Sequence, residues 1–157
     1  MERTLILIKP DGVKRELIGK IINQYEEKSL EIVALKMITA TIDDAKKHYI
    51  EHVQKDFFEE LIGYITCGKI CAMILMGEGA IELARKINGN KDPIKAELGS
   101  IRGRFAIDKT QNLVHASDST DSAEREISIW FPELNEDYKF KIAKDLFAKN
   151  QGPLINV

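Results

Sequence analysis

One histidine, His115, stands in the stretch Asn112-Leu113-Val114-His115-Ala116-Ser117-Asp118-Ser119, ringed by small and polar residues. A short apolar run, Leu113-Val114, leads into it, and Ser119-Thr120-Asp121-Ser122 reads as a helix start just beyond it. A helix N-terminus offers free N–H groups and the positive end of a dipole, so it favours a phosphate. A neutral imidazole near pH 7 can attack such a group as a nucleophile. A lone histidine in a capped turn has a simpler reading as a surface side chain, so the chemistry needs support from elsewhere in the chain.

Lys9 gives one such hint. It ends the apolar run Thr4-Leu5-Ile6-Leu7-Ile8, ahead of Pro10-Asp11-Gly12. Two readings stay open for it: a snorkelling edge charge, or a cation aimed into a cleft at the strand ends. Arg85 leaves the apolar face of its helix, and the segment after that helix carries Lys91, Arg102 and Arg104. Each arginine taken singly is a solvated charge, although a guanidinium fork suits phosphate oxygens. His48 and His52 lie four residues apart. The third histidine is distant and no Cys or acidic cluster has ligand spacing, so no zinc site is expected.

The elements that must position these groups follow from periodicity. Thr4–Ile8 is apolar on both sides and reads as a central strand ending in a turn at Lys9-Pro10-Asp11-Gly12. Glu16–Lys28 reads as a helix with Leu17, Ile18, Ile21, Ile22 and Tyr25 on one face. Leu30–Thr41 is a second strand, alternating Ile32, Ala34, Ile38 against Val33, Leu35, Met37. Thr41-Ile42-Asp43-Asp44 resembles a capping box and opens a helix through His52, with Tyr49 and His52 on one face. Phe57 and Phe58 begin a further helix and cannot both face the core. Ile70–Met76 is the third strand, and Ala80–Ile87 the next helix. Asn88–Gln111 lacks regular periodicity but keeps Ile94, Leu98, Ile101, Phe105 and Ile107, so an ordered, packed loop is expected. The His115 strand, a helix Ala123–Phe131 and a last helix Asp137–Lys149 complete the order, the last with Tyr138, Ile142, Leu146 and Phe147 inward. This predicts an α+β fold: a ferredoxin-like βαββαβ antiparallel sheet with a helical insertion and a C-terminal helix, in a single domain over residues 1–157.

Composition narrows the function. Of 157 residues 44% are hydrophobic, enough for a core, and the net charge is −2 with a pI near 6.0. There is no global pull toward nucleic acid or anionic membrane, so any anion site is built from local cations. An RNA-binding module of this architecture would carry paired aromatics on its central strands, and Thr4–Lys9 and Ile70–Met76 contain none. The longest apolar run, Ile70–Met76, is too short to span a bilayer. Met1-Glu2-Arg3-Thr4 runs straight into a strand, so no signal peptide is expected. Cys67 and Cys71 fit neither a zinc pattern nor a disulfide framework; Cys71 is expected to be buried packing. A cytoplasmic protein is expected.

Taken together, several separate motifs resemble nucleoside diphosphate kinase over nearly the whole length. Asn112–Ser119 is similar to that family's active-site signature, with Ala116 where Gly is usual. Thr4–Val13 is similar to its first strand and lysine turn, Ser100-Ile101-Arg102-Gly103 to its phosphate-binding loop, and Ser122–Ile127 with Trp130-Phe131 to the segment after its histidine. The resemblance implies ping-pong transfer of a γ-phosphate from a nucleoside triphosphate to His115 and then to a nucleoside diphosphate. It implies Glu126 as the orienting carboxylate, with Ser117 assisting. Lys9 and Asn112 would contact the ribose and the phosphate end. Tyr49, His52, Arg85 and Arg102 would line the phosphate path, and Phe57 would stack on the base with Leu61 beside it. Mg2+ would bridge the phosphates. Lys91 stands where a phosphate-contacting Thr is common, and Asp56 where Pro is common. Members are usually hexamers, sometimes tetramers, so a homo-oligomer is implied, with no membrane and no nucleic acid required. Ala116 and Lys91 keep a second reading open: a weakened or inactive relative serving as an oligomeric nucleotide-binding or interaction protein. If the backbone at position 116 needs positive φ, Ala116 is strained there.

Overall fold

In the computed structural model, residues 1–134 are described. Strands β1 (Glu2–Ile8), β2 (Glu31–Thr39), β3 (Lys69–Gly77) and β4 (Val114–Ala116) form one sheet in the order β2-β3-β1-β4, every neighbouring pair antiparallel. The helices are α1 (Pro10–Lys14), α2 (Ile18–Glu26), α3 (Ile42–His48), α4 (Phe58–Thr66), α5 (Ala80–Asn88), α6 (Ile101–Phe105) and α7 (Thr120–Trp130), with a 3-10 turn at Ile50–His52. This is the α+β, ferredoxin-like arrangement expected. The last predicted helix, Asp137–Lys149 with Tyr138, Ile142, Leu146 and Phe147, lies outside the described residues.

The two central strands are buried on both faces, and strand alternation splits their side chains into two cores. Ile6, Ile8, Cys71, Met73 and Leu75 pack with Ile21 and Tyr25 of α2 and Ala80 and Ala84 of α5. Leu5, Leu7, Ile70, Ala72 and Ile74 pack on the other face with Ala45, Phe58, Ile62, Ile127 and Trp130 from α3, α4 and α7. His115 pairs with Leu7 across β1 and β4, whereas its neighbours Val114 and Ala116 belong to the first core. The alternation therefore turns the imidazole toward the α3–α7 layer.

Several local expectations need correction. Pro10-Asp11-Gly12 is not a turn but the first turn of α1, because Pro at the first helical position is already held at helical φ. The helix after it is shorter than Glu16–Lys28, since Glu16 has φ +57°. In β2 a bulge between Ile32 and Ala34 breaks the alternation; Ile32 joins the first core, while Val33, Ala34 and Ile38 join the second. The segment 88–111 contains α6, capped where the Ser100 hydroxyl accepts the Gly103 N–H. Of its apolar residues Ile101 is buried, but Ile94, Leu98 and Ile107 are 95%, 86% and 66% exposed. The α-helix that opens at Ile42 ends at His48, so Tyr49 and His52 meet across a 3-10 turn rather than on one α-helical face, with ring centroids 6.1 Å apart.

Candidate active site

The strand that carries His115 is entered through a strained residue. Leu113 has φ +75°, and its N–H and C=O are both fixed: Asp11 Oδ2 accepts the N–H at 3.1 Å, and the Lys9 N–H donates to the carbonyl at 2.7 Å. The other Asp11 oxygen accepts the Tyr64 hydroxyl. The end of β1 and the start of α1 thus brace the turn before the histidine. Ala116 is not among the positive-φ residues, which are Glu16, Ser29 and Leu113, so the change from Gly puts no strain on the backbone.

On α7 the side chain of Ser119 caps the helix by accepting the Ser122 N–H at 3.2 Å, as the sequence predicted. Two turns later Glu126 reaches back to the strand. Its Oε2 lies 2.9 Å from His115 Nε2 and accepts the Ser117 hydroxyl at 2.7 Å. Ser117 in turn accepts the Leu5 N–H at 3.1 Å. A carboxylate only accepts, so Nε2 of His115 carries the proton and Nδ1 keeps the lone pair. Nδ1 has no hydrogen-bond partner among the described residues.

His115 lines a cavity of about 400 Å³, together with Tyr49, His52, Arg85, Lys91, Arg102 and Glu126. Seven of the twelve sequence-predicted site residues therefore meet at one wall. Burial, with a lesser contribution from Glu126, pushes the Tyr49 hydroxyl up to about 12, so it stays a neutral donor. Burial likewise lowers Arg102 to about 10. The Arg102 guanidinium bonds three backbone carbonyls, Asn112 at 3.2 Å, Gly89 at 2.7 Å and Val114 at 2.6 Å. It ties the loop after α5 to the His115 strand as well as lining the cavity.

Five predicted residues stand off that wall. Ser117 lies beneath His115. Lys9 and Asn112 are buried beside one another, Nζ donating to Oδ1 at 2.5 Å; burial is the main cause that lowers Lys9 to about 8. Phe57 is 46% exposed while Phe58, at 7%, fills the core, as expected for two adjacent aromatics. The Phe57 ring lies 5.8 Å from that of His52, at the rim of the cavity, and Leu61 is half-buried one helical turn further along α4.

Arg125 and His48 are among the wall residues that had no role in the sequence reading. Arg125 places Nη2 3.5 Å from Glu51 and 3.9 Å from Glu126; as one more charge beside Glu126 on a helix it gave no signal. His48 was considered for zinc and set aside on spacing. The fold nevertheless brings a ligand atom each from His48, His115 and Glu126 within 4.8 Å of one another. Two of the ring nitrogens are already engaged: the Trp130 indole N–H donates to His48 Nδ1 at 3.1 Å, and His115 Nε2 is bonded to Glu126. His115 and Glu126 form a hydrogen-bonded pair, and His48 meets His115 edge-on by ring contact.

Known proteins resemble this chain over most of its length. The family model for nucleoside diphosphate kinase matches residues 2–135. The chain is 52% identical over 134 residues to the nucleoside diphosphate kinase of Thermobifida fusca, covering 85% of this chain and 99% of that one. It is 48% identical over 131 residues to that of Saccharolobus islandicus, covering 83% and 95%. Among solved structures, the nucleoside diphosphate kinase of Encephalitozoon cuniculi superposes with a TM-score of 0.82 at 37% identity, over 83% of this chain and 89% of that one. A family protein from Babesia bovis gives 0.82 at 40% identity, over 89% and 99%.

Proposed function

The chain belongs to the nucleoside diphosphate kinase family, and we propose that His115 carries the phosphoryl group in its reaction. The enzyme transfers the γ-phosphate of a nucleoside triphosphate to a nucleoside diphosphate. The observation that carries the proposal is the tautomer set by Glu126: with Nε2 engaged at 2.9 Å, the free lone pair of His115 is on Nδ1. Nδ1 forms the N–P bond as the bond from γ-phosphorus to its bridging oxygen breaks, and the electron pair leaves with the diphosphate. A second diphosphate then attacks phosphorus, and the pair returns to Nδ1. Phosphoryl transfer depends on positioning and charge stabilisation. Arg85, Lys91, Arg102 and Arg125 on the cavity wall supply positive charge along the phosphates. Lys9 and Asn112 act as one pair toward the ribose and the transferred group, and the Tyr49 hydroxyl is a neutral donor. Phe57 stacks on the base with Leu61 beside it; a ring face accepts any base.

The family's reaction needs a divalent metal, and we assign it as Mg2+ entering on the nucleotide phosphates. The wall supports an ion brought by substrate rather than a protein cage. Of its carboxylates, Glu126 is held by His115 and Ser117, and Glu51 faces Arg125; Asp118 is the one outside an ion pair among the described residues. Neither Ala116, whose backbone is unstrained, nor Lys91, which adds a cation, favours an inactive relative. We take residues 1–157 as a single domain and a homo-oligomer, hexamer or tetramer, as the working assembly. The outer edge of β2, which no other strand among the described residues pairs, and the exposed Leu35, Met37, Ile94 and Leu98 support an assembly. No helix among the described residues is long and apolar enough to cross a membrane. The free thiols Cys67 and Cys71 suit the reducing cytoplasm.

The test is phosphoenzyme trapping with Mg2+ and γ-labelled ATP in the absence of acceptor. Base-stable, acid-labile label on the wild type, absent from His115→Ala and discharged by GDP, is the expected result. Label that persists in His115→Ala would identify a different nucleophile.

A further inference from the structure

His48 is 4% exposed, lies on the cavity wall, and holds its ring edge-on to His115 with centroids 4.5 Å apart. The indole N–H of Trp130 can only donate, and it donates to His48 Nδ1. Nδ1 therefore carries the lone pair and Nε2 carries the proton. Nε2 has no hydrogen-bond partner among the described residues, although nearly all of the side chain is buried. This N–H is not among the fully buried unpaired atoms, so it opens on the cavity, and the cavity is where a partner can enter. Building on the assignment of His115 as nucleophile, we propose that His48 is a further catalytic residue, an uncharged donor whose Nε2–H bonds a non-bridging oxygen of the phosphoryl group at His115.

The surroundings keep this donor neutral. Burial foremost, then the nearby His115, Arg125, His52 and Lys9, hold the His48 imidazole well below its ordinary range. A neutral imidazole N–H stabilises charge that develops on phosphoryl oxygens without repelling His115 when that ring is itself charged or phosphorylated. Lys or Arg at this place would do the former and not the latter. The donor is also preorganised: Trp130 stands on α7 in the second core, at 1% exposure, so the tautomer is fixed by the packed interior before substrate arrives.

The experiment compares wild type, His48→Gln, His48→Leu and His115→Ala in single-turnover labelling by γ-labelled ATP with Mg2+, alongside nucleotide affinity and melting temperature. Gln keeps a neutral N–H near the Nε2 position; Leu keeps apolar bulk without a donor. The proposal expects His48→Leu to be phosphorylated roughly 10²-fold more slowly with nucleotide affinity within about twofold, and His48→Gln to recover most of the rate. Equal rates in wild type and His48→Leu overturn it. So does a folded His48→Gln that is as slow as His48→Leu, because packing alone would then explain the loss. If His48→Leu does not fold, nitrogen-15 shifts of the wild-type imidazoles decide: Nε2–H on His48 supports the proposal, and Nδ1–H overturns it. Failure of the underlying assignment looks different. There the wild type takes no label or His115→Ala keeps it, and the role of His48 falls with that of His115.

Discussion

Glu126 and Trp130 stand four residues apart on α7, one above the other on the helix face that meets the sheet, and each fixes the proton of a different histidine. Glu126 accepts from His115 Nε2 at 2.9 Å, and Trp130 donates to His48 Nδ1 at 3.1 Å. One is an acceptor only and the other a donor only, so the two rings are given opposite roles. His115 presents a lone pair and His48 presents an N–H.

Removing the acceptor should release the nucleophile. In Glu126→Ala the His115 ring is free to exchange tautomers, and the buried Ser117 hydroxyl loses its acceptor. Labelling by γ-labelled ATP is expected to slow by roughly 10²-fold, with nucleotide affinity little changed. Chemical denaturation should show a loss of about 1–3 kcal/mol from the orphaned buried polar group.

Lys9 sets an alkaline limit. Burial is the main cause that brings it from 10.5 down to about 8, and the proposed reaction uses it as a cation at the phosphate end. Activity should fall as pH rises through about 8. Lys91 is one of the cations that lower Lys9, with Arg102, while Asp11 and Asp108 raise it. Lys91→Ala is therefore expected to move the alkaline limb of the pH–rate profile upward. Stability runs the other way. The unfolded chain binds this proton up to about 10.5 and the folded chain only to about 8, so the contribution of Lys9 to stability rises across that window.

Ala116→Gly restores the usual family residue and tests whether the methyl crowds the site. The position is in β4, paired with Ile6, without positive φ, and its side chain is buried in the first core. The rate should change by less than about threefold. Glycine in a strand interior should lower stability by about 0.5–1 kcal/mol, read as a shift in denaturant midpoint.

What could be read from the chain was whatever local order encodes. The double-sided burial of Leu5–Ile8, the Ser119 cap and the division of labour between Phe57 and Phe58 all follow from period and residue type. A one-turn helix such as α6 has no period to show, and only Ser100 three residues before Gly103 hinted at it. Exposed Ile94 and Leu98 look the same in sequence as buried ones, because an apolar residue reports that it avoids water and not against which surface. His48 was visible only as a possible ligand. Its contact with His115 is tertiary, created when α3 packs on the face of the sheet toward which β4 turns the imidazole.

The brace before the active-site strand makes a further prediction. Asp11→Ala leaves the N–H of Leu113, a fully buried residue at φ +75°, without its acceptor, and it frees the Tyr64 hydroxyl. A cost of about 1–3 kcal/mol is expected. Asp11 is also the strongest influence holding Lys9 protonated, so the alkaline limb should move down in pH. Tyr64→Phe should leave that limb near its wild-type place, since it keeps the carboxylate. A pair of pH–rate profiles separates the two.

Assembly supplies the last prediction. Among the described residues β2 is an edge of the sheet with no further strand beyond it, and Leu35 and Met37 are 52% and 46% exposed on it. A second exposed pair, Ile94 and Leu98, lies in the segment that Arg102 ties to the His115 strand. Charges placed at one surface should cut one contact and leave the other. Leu35→Glu with Met37→Lys is expected to reduce the assembly to smaller oligomers in sedimentation velocity, and Leu98→Asp to yield a different smaller species. Because Arg102 links the second surface to the cavity through Gly89, Asn112 and Val114, the Leu98 variant should also lose activity, whereas the β2 variant should keep most of it. Unchanged sedimentation in both variants would place the contacts elsewhere on the chain.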